Sequence, residues 1–579
     1  RRHGEFFVAE AESHVVEFGV PEGSSLQWFE VNRDNLVAVY NRHRDLDPGF
    51  AARAVLCLSH VMLRRGPYDS NLALLEDIAA RLDEGTEPLV LSRLYFARGV
   101  AHSIMSRLDR AVEDLERALT IARAHGLFAM EAKTLLQRGL HSLRMGQLEV
   151  ASRWLAEAQE VAEREGLQRV LCRVHVSTGM AHEAVAEFPQ AEASYQRSLE
   201  IAREQDDRWE VVRTRSKMGT LCTFIDGRLD EAREHFEWSL AECREVGDWF
   251  IEAGTAYNLG RLETNLGNLE SAEQHLGRAL VAYREMGNRN ASGFVVMAQG
   301  LLAMERQRWD QAAQLLDEAD EILSKVQHAL ARSYAMLTRA LGDLNAGQPQ
   351  AALERIEASV ALVVALKHRV LEGIGRCVEG MIHASLGDEE QWRTSLDRAT
   401  ELLGDSGWGE GNAMLAALRR YGALVGQPEV EGSGPDLPAF ARARVAMRIL
   451  REQGDGGGAA KPGPRPATLP PPPGSLRIHN DGRWFQVPGA EPVDLTRKRT
   501  LRPLLLMLTR ARLEEPGKAI GVGPIFEGVW AGERIRESAR KNRVYVAVAT
   551  LRKAGLDPYL DTRGDGYLIR PDVEVVWAD

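Results

Sequence analysis

Small residues return at a fixed interval through most of this 579-residue chain. Gly99, Gly139, Gly179, Gly219, Gly260, Gly300, Ala340 and Gly380 stand 40 residues apart, with one step of 41. Twelve residues after each (thirteen once) come Ala111, Ala151, Ala191, Ala232, Ala272, Ala312, Ala352 and then Trp392. Seven further on come Ala118, Ala158, Ser198, Ser239, Ala279, Ala319, Ser359 and Ala399. Between these last two series stand Leu115, Leu155, Tyr195, Phe236, Leu276, Leu316, Ile356 and Leu396, which supply large apolar side chains. A chain that repeats itself this way buries the apolar face of each unit on its neighbours, so it folds as an array with no single central core.

Small residues at three fixed offsets let two antiparallel helices approach closely and let each pair stack on the next. That pattern resembles the tetratricopeptide repeat. The period exceeds the usual ~34 residues of that family, which implies longer helices; HEAT-like repeats also run near 40 but lack the triplet of small positions. Turn signals fall where the paired helices must reverse, as in GQL at 146–148, GRL at 227–229, GNL at 267–269 and GQP at 347–349. The expected fold is therefore mainly α: a tetratricopeptide-like solenoid of about eight 40-residue helix pairs, with a small α+β winged-helix domain after it. Trp392 marks the last repeat as atypical, as an end cap should be, and helices at 412–425 and 437–452 are expected to close the array. A helical N-terminal segment over 1–84 includes a degenerate helix pair at 50–82. The array then runs over 85–452, a linker over 453–475 and the terminal domain over 476–579.

Four basic residues, Arg93, Lys133, Arg173 and Arg213, stand six before the first small position in consecutive repeats, with Gln137, Lys217 and Asn258 two before it. On the inner helices of a solenoid these predict a ladder of positive charge about one repeat apart, suited to an acidic peptide or anionic effector. The same spacing fits a solvated stripe, which is the simpler reading.

The segment 454–474 holds seven Pro and six Gly and has no means of packing a core, so it reads as a linker, part flexible and part extended. Net charge is −11, yet residues 476–579 carry 18 Lys and Arg against 14 Asp and Glu. A mildly basic terminal domain on an acidic body is the asymmetry expected when one domain touches phosphates. Within it, strands are expected from Leu476, helices over 495–512, 524–530 and 533–554, and a hairpin over 559–570. Asp494-Leu495-Thr496 opens the first of these helices, Val529-Trp530 closes the second, Val546 to Lys553 fills the third, and Arg563-Gly564-Asp565-Gly566-Tyr567 forms the hairpin.

Those four features in that order resemble the DNA-binding effector domain of bacterial response regulators, over roughly 476–571. The resemblance implies that Tyr545, Ala547 and Thr550 face base edges, that Arg552 and Lys553 lie near phosphate or base, and that Arg563 lies near the minor groove. The basic residues agree on chemical grounds. Arg540, Lys541 and Arg543 cluster at the start of the third helix, where phosphate contacts fix register, and Arg497, Lys498, Arg499 and Arg502 form a second cluster. Asn542, Tyr545 and Thr550 are the few side chains able to read bases, because Val546, Ala547, Val548 and Ala549 are small and apolar. Weak reading by one copy implies dependence on DNA shape or tandem sites.

Trp28, Phe29, Glu30, Asp34, Asn35 and Leu36 resemble the segment that follows the nucleotide-binding module in signal-transducing NTPases with tetratricopeptide sensors, the STAND class. That resemblance implies a P-loop NTPase before Arg1, where the chain begins inside a helical pattern and reads as a piece of something longer. No GxxxxGK[ST] is present, so no cofactor is expected in this chain. His182-Glu183 begins an HExxH-like string, but Ala186 ends it, so no metal is expected. No GxSxG occurs either, and the chain is not expected to be an enzyme. The five cysteines show no ligand spacing and read as buried hydrophobes of a cytoplasmic protein. The function expected is a transcription regulator: the array senses a protein or small effector and controls a domain that binds double-stranded DNA, with oligomerisation in the longer protein supplying avidity. The alternative is an interaction scaffold in signalling or defence whose winged helix docks protein.

Overall fold

A computed structural model describes residues 2–15, 23–83, 85–225, 227–246, 248–326, 328–404, 406–424, 440–454, 475–479, 482–488, 490–495, 498, 500–514, 517–530, 537–563, 566–573 and 575–578, with the backbone alone at 2–3, 23–26, 244–246, 421–424, 450–454, 514, 537–539, 542 and 577–578. They fall into two compact units, Arg1–Gly458 and Ala459–Asp579. No helix among the described residues is long and apolar enough to cross a membrane.

The first unit opens with α1 (Arg2–His14) and α2 (Gly23–His43). Phe29 and Leu36 of α2 are buried with Val8 and Ala11 against Ala54, Cys57, Leu58 and Met62 of α3 (Pro48–Arg65). With α4 (Tyr68–Ala79), α3 makes a first helix pair whose Ser59 and Leu75 are buried in the register of Gly99 and Leu115 one repeat later.

Eight further pairs follow: α5 (Pro88–Ile104) with α6 (Leu108–Ala124), α7 (Phe128–Arg144) with α8 (Leu148–Arg164), α9 (Gln168–Ala184) with α10 (Phe188–Glu204), and α11 (Arg208–Phe224) with α12 (Leu229–Val246). Then come α13 (Trp249–Leu266) with α14 (Leu269–Met286), α15 (Arg289–Glu305) with α16 (Trp309–Lys325), α17 (Ala329–Asn345) with α18 (Pro349–Ala365), and α19 (Arg369–Leu386) with α20 (Glu389–Leu403). The expected solenoid of helix pairs is present.

The spacing rule has a direct steric cause. A Cβ on Gly139 would sit 2.7 Å from Leu155, and on Gly260 2.7 Å from Leu276. The first helix of each pair gives up its side chain there because the second inserts a large one. The other end of the pair is joined by small polar groups: Ser92 Oγ donates to the Ala118 carbonyl at 3.1 Å, and the Ser333 and Ser359 hydroxyls meet at 2.7 Å. The first helices of successive pairs also touch one another across the intervening helix. They therefore line the inner, concave side.

The winding brings distant turns together. A Cβ on Gly66, between α3 and α4, would meet the Met286 backbone at 2.7 Å, and the Tyr68 hydroxyl lies 3.8 Å from Met286 Sδ. A Cβ on Gly146 would lie 3.6 Å from Leu366, and the Phe188 ring lies 5.8 Å from Trp408. Each pair is separated by about five and a half repeats, which is one turn of a closely wound superhelix.

Along this seam, His328 and His368 cap α17 and α19, their Nδ1 atoms accepting from Ala331 and Leu371 N–H at 3.3 Å. Only a neutral imidazole accepts such a bond. Burial, helped by the nearby Arg144 charge, pulls His328 down to about 4, and burial lowers His368 too. The folded chain thus binds fewer protons than the unfolded one between about pH 4 and the ordinary histidine range near 6.5, and stability falls as pH drops through that window. Thermal melts are expected to give a lower Tm at about pH 5 than at pH 7.5. The double variant His328→Asn/His368→Asn, which caps without titrating, should narrow the gap. If it leaves the gap unchanged, these caps are not its source.

Two helices complete the unit. α21 (Gly409–Leu424) packs on α19 and α20 as the next inner helix. α22 (Ala441–Gly454) was expected to close the end of the array, and it does something else. It lies inside the groove against α13, α15, α17 and α21. Ala441, Ala443, Val445, Ala446, Met447 and Ile449 are all buried, as befits a helix surrounded by protein.

In the second unit, β1 (Leu476–His479), β2 (Trp484–Gln486) and β3 (Val493–Asp494) form an antiparallel run. α23 (Leu501–Glu514), β4 (Ile520–Gly521), α24 (Val522–Val529) and α25 (Glu537–Leu551) follow. β5 (Leu560–Arg563) and β6 (Gly566–Ile569) make the hairpin, and β7 (Val575–Ala578) returns to pair in parallel with β1. The sheet orders are β3-β2-β1-β7 and β4-β6-β5. The first helix was expected to open at 494–496. Asp494 instead ends β3 and the Leu495 N–H donates to the Arg483 carbonyl, so extended pairing persists there and the helix starts at Leu501.

Candidate functional site

The exposed face of α25 follows from its buried one. Val544, Ala547, Val548 and Leu551 are buried at helical spacing against Leu504, Leu505, Leu508 and Phe526. Lys541, Arg543, Tyr545, Val546, Ala549 and Thr550 are therefore turned outward, and Lys553 is exposed just beyond the helix. Tyr545 is 49% and Val546 59% exposed, a large apolar pair at the centre of a basic rim. Arg543 and Lys498 line the same open depression of about 350 Å³, with Trp530, Val546 and Thr550.

The expected roles divide on this geometry. Ala547 is buried in the core and reaches only the floor of that depression. The hydroxyl of Thr550 donates to the Val546 carbonyl at 2.7 Å within its own helix. Arg540 lies partly buried with its guanidinium 5.3 Å from the Phe526 ring. Arg552, expected near phosphate or base, ties helix to hairpin: it donates to Thr562 Oγ1 at 2.8 Å and the Leu560 carbonyl at 3.3 Å and lies over the Tyr567 ring. Arg563 stays 55% exposed at the end of β5, donating weakly to the Gly517 carbonyl at 3.4 Å. Arg497 and Arg499, the hairpin tip at 564–565 and the Asn542 side chain lie outside the described residues. Val546, one of the small apolar residues with no hydrogen-bonding group, is exposed beside Tyr545.

The predicted ladder in the array is not an open stripe of charge. Arg173 and Arg213 both pair with Glu210, which is completely buried between them. Arg64 from α3 joins them, its guanidinium pulled down to about 10 by burial beside Arg173. Trp209 sits among the three, 4.7 Å from Arg173, 5.5 Å from Arg213 and 5.8 Å from Arg64, and donates from Nε1 to Asp248 at 2.8 Å. Lys133 is buried, Arg93 half-buried, and Asn258 donates to Thr220 Oγ1 at 3.2 Å. Lys217 lies near Glu183, whose carboxyl burial pushes up to about 7. Arg173 and Arg213 share the Glu210 carboxylate, and α3 covers them with a third guanidinium and Val61 against Trp209, a packing that repeat spacing does not announce.

The other half of the groove is acidic and filled. Arg444 of α22 donates to the carbonyls of Thr264 (2.8 Å) and Asn265 at the end of α13, and reaches Glu305 at 3.3 Å. Arg448 donates to the Met304 and Glu305 carbonyls at 3.2 and 3.3 Å. Arg442 bonds Thr338 Oγ1 at 3.1 Å, pairs with Glu410 and lies 5.1 Å from the Tyr334 ring. Guanidinium groups here meet helix C-termini, where the backbone dipole favours cations.

Two further expectations meet definite surroundings. All five cysteines are free and buried. Among the described residues, Cys222, Glu231 and His235 come close enough to share an ion, but Arg228 already donates to both oxygens of Glu231 and to Glu192.

The tetratricopeptide repeat family matches residues 210–285 and, by a second description, 92–125. The chain is 25% identical over 282 residues, 47% of its length, to the regulatory protein AfsR of Streptomyces griseus, and spans about a quarter of that protein. Among solved structures it is similar to a Rap protein complexed with competence and sporulation factor, at 14% identity and TM-score 0.46, covering 61% of this chain and 98% of that one. It is also similar to the STAND protein with a tetratricopeptide repeat sensor PH0952 from Pyrococcus horikoshii, at 14% identity and TM-score 0.36, covering 57% and 52%. The first unit is a tetratricopeptide-like helical array.

Proposed function

We propose that the chain is a regulator whose array senses a protein or small effector and controls a winged-helix unit that binds double-stranded DNA. The observation that carries this reading is the outward face of α25. Lys541, Arg543 and Lys553 rim Tyr545 and Val546, and the β5–β6 hairpin with Arg563 follows directly in the chain. A helix of this kind fits the major groove while the hairpin reaches the backbone or minor groove. The curated relative's description as a regulatory protein supports the same class. The reading is non-catalytic, and tandem sites or oligomerisation would supply the avidity that so apolar a helix centre lacks.

The test is binding of the full chain to labelled duplex DNA between about 50 and 200 mM salt, where each neutralised phosphate contributes roughly −0.9 to the slope of log K against log salt. A slope of about −3 to −5 is expected for four or five contacts. No binding at the lowest salt would sink the reading in favour of a scaffold whose Tyr545–Val546 face docks protein.

A further inference from the structure

The groove over α13, α15, α17 and α21 is built to hold arginine. Its polar wall includes two carboxylates, Glu305 and Glu410, and the carbonyl ends of two helices, each met by a guanidinium of α22, with Arg261 of α13 also facing Glu410. Glu305 is buried within the protein, and its Oε1 atom has no hydrogen-bond partner. Without a cation beside it, such a group carries a full desolvation cost. α22 belongs to no repeat, and its sequence runs straight into the Pro/Gly-rich segment that leads to the second unit.

We propose that this inner face is a docking site for an arginine-bearing amphipathic helix, occupied in this chain by α22 and open to competition from an effector helix of the same chemistry. The specificity is for guanidinium over ammonium. Arg442 engages Thr338, Glu410 and the Tyr334 ring at once, and Arg444 bridges two carbonyls and a carboxylate, which takes a planar fork of several donors. The apolar complement is Phe440, Ala443, Val445, Ala446, Met447 and Ile449, so burial supplies affinity while the charged contacts set register and the choice of arginine. Displacing α22 would free the segment that tethers the second unit. That consequence rests on the regulator reading, whereas the docking site does not.

The test uses the full chain and a labelled synthetic peptide of residues 440–454. In the wild type, α22 competes and the peptide should bind poorly. Arg442→Glu with Arg444→Glu in the chain should eject α22, raise peptide affinity at least tenfold and expose amides 441–454 to hydrogen exchange. Adding Glu305→Gln and Glu410→Gln should abolish the gain, and a peptide with Lys in place of its arginines should bind at least tenfold more weakly. Arg448→Ala gives a milder chain should the double reversal misfold, and a smaller gain is expected from it. Peptide affinity unchanged in both α22 variants, or a lysine peptide equal to the arginine one, overturns the proposal. DNA binding measured with and without saturating peptide is a separate arm. If the peptide docks as described and DNA affinity stays constant, the docking site stands and control of DNA binding fails.

Discussion

Gly179→Val is expected to destabilise the array by about 2–3 kcal/mol, a large loss for one side chain. A Cβ at Gly179 would lie 2.5 to 2.9 Å from three carbons of the Tyr195 ring, and Tyr195 is completely buried. The ring has nowhere to move, so α9 and α10 must part. Better helix propensity offsets only about 0.5 kcal/mol of that cost, because valine is itself a weak helix former. Gly277 is the control. It also lies inside a helix, α14, but a Cβ there meets nothing within 4 Å. Gly277→Ala should stabilise by roughly 0.5–1 kcal/mol. Denaturant melts followed by helical circular dichroism read both variants. Equal midpoints would mean that the small-residue series is not a packing requirement. Because a repeat array sums local terms, loss at α9–α10 is also expected to broaden the transition.

Lys541→Ala and Arg543→Ala should each weaken DNA binding several-fold across unrelated sequences and lower the salt slope by about one. Both side chains are exposed on the face opposite the core, so stability should change by less than about 0.5 kcal/mol. Arg552→Ala is expected to behave oppositely, destabilising the second unit by roughly 1–2 kcal/mol through its lost bonds to the hairpin. The three variants separate a contact residue from a structural one by pairing anisotropy with thermal melts. If Arg552→Ala leaves the melt untouched but removes DNA binding, the division of roles drawn from the geometry is incorrect.

The repeat was readable along the chain because its determinants are local. A small residue and the large one about sixteen later meet across a single helix pair, and both recur every 40 residues. The second unit was readable to a similar depth, since alternation and turn residues mark strands and hairpin. Its errors lay at edges. Leu495 continues strand pairing through a bond to Arg483, and Arg552 and Ala547 turn toward the protein because helix phase decides which side chains face the core.

What spacing left open is set by contacts between residues far apart in the chain. Nothing in a 40-residue period says that residue 66 will meet 286, or 188 meet 408, because the pitch of a superhelix comes from small rotations summed over many repeats. That winding folds α3 over Arg173, Arg213 and Glu210 and closes the ladder that looked open. It also creates the enclosed groove in which α22 lies. As a sequence, α22 is an ordinary basic, alanine-rich helix. Its arginines acquire a purpose only when α13 and α15 end side by side and α21 brings Glu410 opposite them. The chain thus specified its repeating unit locally, and the tertiary structure decided which charges are spent internally, because those pairings join residues that only the winding brings together.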